Sequence, residues 1–359
     1  MESLNELRYK VKHGSEDANN EIEKRMSSVK EIKLTGINSE KVLLTGYDSL
    51  CRKCNWVDTF YKSVNVKSAG IASILLDSYS SATIEGAVTT VEQVKRCFSS
   101  PKTKDDKMVV NTVKGCIYAY SNKITESNIR ELWEIITDEV CENRSIAGNK
   151  YRTGRVYIGN GVKVAHEPAS VEQIDNKMHE MFEYAENRDE VPNLIIAAIL
   201  HFYFVYIHPF CDGNGRTARI LNSSYLYNNG YKKFKSIALS NVINESRMTY
   251  YKKLNESDKI QEYKGHKFID ASPFVDYMID VYEQGIKNLE RTKNSLSDSE
   301  TKILEKMNKV GKGATITVNK ACKILKLSDS SVRKVLNNLV SMKYLEVDKS
   351  NRPYRYIYK

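Results

Sequence analysis

An unbroken run of mostly apolar residues, 194–207, is the feature that most constrains how this chain of 359 residues can fold. A membrane-spanning helix needs about 20 such residues, and this run is shorter and contains His201. We therefore predict a helix buried in a protein core. The helix should end at His208, because Pro209 follows it and the residue before a proline is disfavoured in a helix.

A dense polar cluster, HPFCDGNGRTAR at 208–219, follows this helix directly. His208 can accept a proton near neutral pH. Asp212 supplies a hard carboxylate of the kind that suits magnesium. Gly213, Asn214 and Gly215 can form a turn whose successive N–H groups bind an anion. These residue types together predict a site for a charged, phosphate-bearing molecule.

A second helix is predicted after this turn, because Ala218, Leu221 and Tyr225 form one apolar stripe. Arg216 and Arg219 lie opposite that stripe, so we expect them to face outward, toward the turn. The positive end of the helix adds to the same anion site. The loop differs from a Walker loop, because GxxxxGK[ST] is absent. The alternative is a core histidine beside an ordinary surface turn.

The cluster resembles the Fic signature HxFx[DE]GNGRxxR at every specified position, and the resemblance extends from about Ser81 to Asn229. It implies a mainly α fold: a Fic-type helical core with a β-hairpin flap. It also implies transfer of AMP from ATP to a protein hydroxyl, with release of pyrophosphate. His208 would take the proton of that hydroxyl, Phe210 would anchor the loop in the core, and Asp212 would hold Mg²⁺.

The same resemblance assigns the nucleotide-binding residues. Asn214 and the N–H groups of Gly213 and Gly215 would hold the α- and β-phosphates. Arg216 would contact the β-phosphate, and Arg219 the γ-phosphate. A branch of the superfamily that transfers phosphate replaces the GNGR stretch with a lysine-containing variant, so the retained Gly215 favours nucleotidyl transfer.

Two segments before the cluster complete the resemblance. Residues 151–168 predict a hairpin joined through the Gly-Asn-Gly of 159–161. It resembles the family's flap, which would pair with the target backbone as an added strand. The residues that would do so are Arg155, Val156, Tyr157 and Ile158.

Helical spacing over residues 68–84 leads into SSATIEG, which fits the family's inhibitory pattern [ST]xxxE[GN] through Ser81, Glu85 and Gly86. A carboxylate paired with Arg219 would take the partner of the γ-phosphate and repel the phosphate itself. The alternative is an ordinary helix end with a capping glycine. Whether Glu85 also assists removal of AMP from a modified target stays open.

The net charge of +10 is concentrated at the end of the chain, where residues 297–359 hold 14 Lys and Arg against 6 Asp and Glu. Such a basic segment suggests a partner such as nucleic acid. Residues 295–359 predict three helices and a terminal hairpin, resembling a winged helix-turn-helix. Docking of another protein is the alternative. The residues expected to face DNA are Ser331, Arg333, Lys334, Asn337, Arg352 and Arg355.

We thus predict three regions: 1–66 of unassigned role, a Fic domain over 67–294 with an inhibitory helix near 68–86, and the segment 295–359. Seven scattered cysteines suit a reducing cytoplasm, and Cys51 and Cys54 are interpreted as two unrelated thiols rather than a zinc site. Short apolar runs indicate no membrane partner.

The sequence therefore predicts a self-inhibited, Mg²⁺-dependent protein adenylyltransferase that uses ATP. The acceptor would be a Tyr, Ser or Thr hydroxyl of a target protein or of the chain itself, and a homodimer stays open. One alternative is a DNA-binding transcriptional regulator whose Fic body has low activity. Another is a related enzyme that removes AMP or transfers a different nucleotide.

Overall fold

A computed structural model describes residues 1–64, 71–141, 150–159, 164–187, 190–294, 297–350 and 352–359. The chain divides into two compact units, Met1–Leu289 and Glu290–Lys359. The region predicted over residues 1–66 lies within the first unit. Of the helices in the described ranges, none combines the length and apolar character needed to cross a membrane.

The first unit is mainly helical. Before the catalytic loop it contains α1 Leu4–Lys12, α2 Glu16–Met26, α3 Tyr47–Ser63, α4 Ile71–Ile84, α5 Val91–Cys97, α6 Lys104–Ser121, α7 Glu126–Thr137, α8 Val171–Glu186 and α9 Asn193–Ile207. After the loop it contains α10 Asn214–Asn228, a 3₁₀ turn at Lys232–Ser236, α11 Leu239–Glu245, α12 Arg247–Ser257 and α13 Ser272–Asn294, whose last residues enter the second unit.

A four-stranded sheet lies beside these helices, in the order β1 (Val29–Thr35), β2 (Lys41–Thr45), β6 (His266–Asp270), β5 (Ile260–Tyr263). The sequence predicts helices up to about Asn294, but the strands β5 and β6 interrupt them between α12 and α13. Lys264 and Gly265 both have positive φ, 49° and 81°, which is the geometry of a tight two-residue hairpin turn.

Helix α9 runs through the centre of the core, as predicted. Nearly all of its residues are buried, and it packs against α8 and α10. His201 is fully buried within it, 3.0 Å from the Tyr250 hydroxyl, and burial lowers the pKa of its imidazole to about 3. His201 is thus a neutral core side chain.

The second unit has its own small core. It contains α14 Asp298–Asn308, α15 Val318–Leu325 and α16 Asp329–Ser341, with a three-stranded sheet of β7 (Thr315–Ile316), β9 (Arg355–Tyr358) and β8 (Leu345–Asp348). Val332, Leu336 and Leu339 of α16 are buried in this core. The helices and the β8–β9 hairpin lie where the sequence predicts them, and Ser328 caps α16.

Candidate active site

The loop between α9 and α10 is fixed by contacts of Phe210 and Asn214. Phe210 is fully buried and stacks on Trp133 with ring centroids 4.6 Å apart. The Asn214 amide accepts from the Phe210 N–H at 3.0 Å and donates to the Phe210 carbonyl at 2.7 Å. The Asn214 side chain therefore shapes the loop, and the phosphate contact expected of Asn214 stays a prediction.

His208 caps α9 in the left-handed conformation, with φ 54° and ψ 60°. Its Nδ1 lies 3.3 Å from the Val205 carbonyl, so Nδ1 carries the proton and Nε2 keeps a lone pair. Burial lowers the pKa of His208 to about 4, assisted by nearby cations including Arg152. A neutral imidazole with a free lone pair can act as a general base.

Arg152 anchors the backbone of His208. Its Nε donates to the His208 carbonyl at 2.8 Å, and its backbone N–H donates to the Pro209 carbonyl at 2.9 Å. The same guanidinium donates to the carbonyls of Gly154, at the base of the flap, and Ala169. A single buried arginine therefore connects the catalytic loop to the flap. The sequence did not predict this role of Arg152, because an arginine in a loop belongs to no helical or strand pattern.

Arg216 and Arg219 are both buried, so the prediction that they face outward was wrong. Elements distant in the sequence cover them. Arg216 donates to the Ile136 carbonyl at 2.9 Å, near the end of α7, and Arg219 donates from Nε to the Ser81 hydroxyl of α4 at 2.8 Å. The helical rotation of these arginines was correct, but α7 and α4 close over that side of α10.

The guanidinium groups of Arg216 and Arg219 lie close to Gly213 and Gly215. A Cβ built on Gly213 would stand 3.5 Å from Arg216 Nη2, and one built on Gly215 would stand 3.2 Å from Arg219 Nη1. Within the described part of the chain, both of these nitrogens and Arg216 Nε lack a hydrogen-bond partner. Buried, unsatisfied donors beside bare backbone at a helix N-terminus form an anion site.

Glu85 lies against this anion site. Its Oε1 lies 2.6 Å from Arg219 Nη2 and only 2.3 Å from the point where a Cβ on Gly215 would stand. Burial opposes the charge of Glu85, but Arg219 outweighs it, so the pKa of Glu85 lies below its ordinary value. The Glu85 side chain is 31% exposed, whereas that of Arg219 is 2% exposed. Glu85 is therefore a charged, partly exposed carboxylate paired with a buried arginine.

The backbone at the end of α4 is also held in place. Arg247 and the Tyr251 hydroxyl of α12 donate to the Ile84 carbonyl at 2.5 Å and 3.4 Å. Gly86 follows with φ 95°, a conformation that favours glycine. Ser81 contributes both its hydroxyl and its carbonyl, the latter accepting from Arg219 Nη2 at 3.0 Å. Ser81 and Glu85 of the inhibitory pattern thus contact Arg219, and Gly86 follows the end of α4.

Asp212 is the candidate metal ligand. Its side chain is 50% exposed, and its Oδ2 lies 3.6 Å from Arg216 Nη2. One exposed carboxylate beside a phosphate site fits Mg²⁺, which binds through one or two carboxylates and substrate phosphates. In the described ranges, no three His, Cys, Asp or Glu side chains converge as a metal site.

The flap is shorter than predicted at its first strand. Among the described residues, β3 (Ile158–Gly159) pairs with β4 (Val164–His166), and Arg155, Val156 and Tyr157 precede β3. Tyr157 is 58% exposed. Residues 160–163, which include most of the predicted Gly-Asn-Gly turn, lie outside the described residues.

Comparisons with known proteins agree with the geometry of the loop. Residues 123–226 match the Fic/DOC family model. The chain is 29% identical over 194 residues to a protein adenylyltransferase Fic of Nematostella vectensis, covering 50% of this chain and 42% of the relative. It is 31% identical over 167 residues to the protein of that name in Drosophila grimshawi, covering 43% and 33%. The chain thus spans less than half the length of these relatives.

Solved structures show the same fold. A Fic family protein of Desulfovibrio desulfuricans matches with a TM-score of 0.57 at 21% identity, covering 87% of this chain and 95% of that one. The Fic-1 protein of C. elegans matches with a TM-score of 0.56 at 19% identity, covering 70% and 74%. The signature loop lies within the matched residues, and the shared fold agrees with it: over residues 123–226 the chain is similar to Fic domains.

Proposed function

We propose that the chain is a self-inhibited protein adenylyltransferase that moves AMP from ATP to a protein hydroxyl and releases pyrophosphate. The proposal rests on nitrogens of Arg216 and Arg219 that lie beside Gly213 and Gly215 and have no hydrogen-bond partner in the described part of the chain. In the sequence, both arginines are 12 or fewer positions from the neutral His208. Anion-binding donors next to a general base are the parts that nucleotidyl transfer requires. The names of the relatives support the same reaction class.

In this proposal His208 Nε2 accepts the proton of a target Tyr, Ser or Thr hydroxyl, which attacks the α-phosphorus. Arg216 and Arg219 bind the β- and γ-phosphates, and the helix N-terminus at Gly213 and Gly215 holds the phosphates by backbone N–H groups. Mg²⁺, held by Asp212, would supply positive charge against the phosphates. The target backbone lies along Arg155–Ile158, where the exposed Tyr157 gives it a contact surface.

Self-inhibition follows from the position of Glu85. Its carboxylate already pairs with Arg219 and lies against Gly215, so a γ-phosphate would need the same guanidinium and the same space. Two anions competing for one cation cannot both be well bound. The wild-type chain should therefore hold ATP in a geometry that transfers AMP poorly.

The reaction class is tested with ATP labelled at the α- or the γ-phosphate. Glu85→Gly protein in Mg²⁺ should take up α label and gain one AMP mass, and it should take up no γ label. Glu85→Gly/His208→Ala is the matched control and should stay unlabelled. Uptake of γ label would replace AMP transfer with phosphate transfer, and equal α labelling of the control would remove His208 from the reaction.

We further propose that residues 295–359 form a winged helix-turn-helix that binds DNA through α16 and the β8–β9 wing. Arg333, Lys334 and Asn337 are exposed on one side of α16, and Arg352 and Arg355 are exposed on the wing. Arg333 is also paired with Asp329 at 3.2 Å, so Lys334 is the freer cation. Lys334→Ala should weaken duplex DNA binding by the full chain and reduce its salt dependence, whereas Lys302→Ala, on α14, should not. Equal binding by both variants would remove Lys334 from the interface, and absence of duplex DNA binding by the parent chain would favour protein docking.

A further inference from the structure

Two cysteines meet beside the catalytic loop. Cys211 lies in the loop itself, between Phe210 and Asp212, and Cys141 follows the end of α7. Their Sγ atoms are 3.8 Å apart although 70 positions separate them in the chain. Both residues are only partly buried, and neither is part of a disulfide. The Fic signature leaves the position of Cys211 unspecified, so the proposed AMP transfer does not account for this pair.

Helix α7 is fastened to the loop and to the start of α10 beside the pair. Trp133 donates from Nε1 to the Asp212 carbonyl at 2.8 Å, and Ile136 accepts from Arg216 Nη1 at 2.9 Å. Cys141 donates its backbone N–H to the Thr137 carbonyl at 3.2 Å, which closes a turn after the end of α7. The approach of the two sulfurs is therefore set by α7 and the loop together.

We infer that Cys141 and Cys211 form a redox modification site, at which a peroxide-class oxidant joins them by a disulfide that ties the end of α7 to the catalytic loop. A disulfide requires an S–S separation of about 2.05 Å, so the sulfurs must approach by about 2 Å. That distance is within reach of side-chain rotation with a small backbone adjustment.

The chemistry balances with the peroxide as the sole oxidant. One thiol sulfur attacks the O–O bond, which breaks to give a sulfenic acid and one water. The second thiol then attacks the sulfenic sulfur, an S–S bond forms, and the hydroxyl leaves as a second water with the thiol proton. The two sulfurs lose two electrons in total, and the peroxide gains them. A dithiol reductant reverses the step by thiol–disulfide exchange.

The disulfide would act on Asp212, which follows Cys211 in the chain. Phe210 is clamped by Asn214, and the Asp212 carbonyl is held by Trp133, so movement of Cys211 is transmitted to the Asp212 side chain and its Arg216 neighbour. Misplacement of a binding group by about 1 Å reduces rates on the order of 100-fold. We therefore expect oxidation to lower AMP transfer by roughly 10- to 100-fold, an effect that rests on the proposed function.

The experiment uses the full chain carrying Glu85→Gly, treated with hydrogen peroxide and then alkylated. Peptide mapping without reduction should find the peptides of Cys141 and Cys211 linked, with a mass two hydrogens below their sum. AMP transfer should fall as stated and return with dithiothreitol. Cys141→Ser should form no link and keep its activity in peroxide. Cys51→Ser, which removes another partly buried cysteine, should behave like the parent.

The outcomes separate the two proposals. Absence of the linked peptides, or the same peroxide sensitivity in Cys141→Ser, overturns the redox site. Full activity of the linked protein also overturns it. If the reduced parent transfers no AMP but the linked peptides form reversibly, the proposed function fails and the disulfide stands.

Discussion

The contact between Glu85 and Arg219 gives the most direct quantitative prediction. Replacing Glu85 by glycine removes a carboxylate 2.6 Å from the guanidinium of an arginine whose side chain is 2% exposed. A hydrogen bond between charged groups contributes about 1.5–3 kcal/mol, which corresponds to a factor of roughly 10 to 150 in an equilibrium. Under the proposed function, this contact in the wild-type chain competes with the γ-phosphate.

We therefore expect Glu85→Gly to raise kcat/KM for AMP transfer by about 10- to 150-fold. Glu85→Gln keeps the size and removes the charge, so its rate should fall between those of the wild type and Glu85→Gly. The assay is the initial rate of α-labelled AMP incorporation in Mg²⁺, with label placement checked by intact mass. Thermal unfolding provides a second readout: ATP should stabilise Glu85→Gly more than the wild type, because only the variant offers Arg219 to the phosphate.

The reasoning is refuted by one combination of results. If Glu85→Gly is folded, binds ATP more tightly and yet transfers AMP at the wild-type rate, then occupancy of Arg219 does not limit the reaction. A loss of rate would point instead to a catalytic role of the Glu85 carboxylate.

Three further predictions follow from the same loop. Gly215→Ala should also displace Glu85, because the new Cβ would stand 2.3 Å from Glu85 Oε1. The added methyl group would, however, fill the proposed phosphate site. Unlike Glu85→Gly, this variant should therefore transfer AMP at or below the wild-type rate. His208 must be neutral to accept a proton, and its pKa is about 4, so in a pH–rate profile kcat/KM should be lost only as the pH falls through about 4. Arg152→Met removes a nearby cation and should move this acidic limb of the profile to higher pH. Phe210→Ala should lower the free energy of unfolding by about 3–5 kcal/mol in urea titrations, since the ring is fully buried.

The sequence predicted best those parts of the site that local rules determine. The end of α9 at His208 depends on Pro209, and the start of α10 depends on the conformations open to Gly213. The end of α4 near Gly86 depends on the same kind of rule. Each is a restriction on neighbouring backbone angles, which the adjacent residues alone impose.

The sequence could not predict what packs over these elements. Arg216 and Arg219 are buried because α7 and α4 cover them, and no property of α10 specifies those neighbours. Asn214 serves the loop because the Phe210 backbone is within reach of its amide, which depends on the folded path of the loop. Arg152 could not be identified either, because its four contacts join residues distant in the sequence: Gly154 at the base of the flap, Ala169 before α8, and His208 and Pro209.

The firm anchoring of α4 has a consequence for how quickly the chain can be switched on. Ile84 is held by Arg247, and Ser81 keeps two contacts to Arg219 that do not involve the Glu85 carboxylate. Glu85 can therefore swing away by rotation about its own side-chain bonds while the helix stays in place, and such rotations take picoseconds to nanoseconds at exposed positions. If the proposed self-inhibition holds, Glu85 occupies Arg219 in a rapidly exchanging equilibrium rather than through a slow conformational change. An activator would act by changing how long the carboxylate resides on Arg219, and the response should appear without a lag.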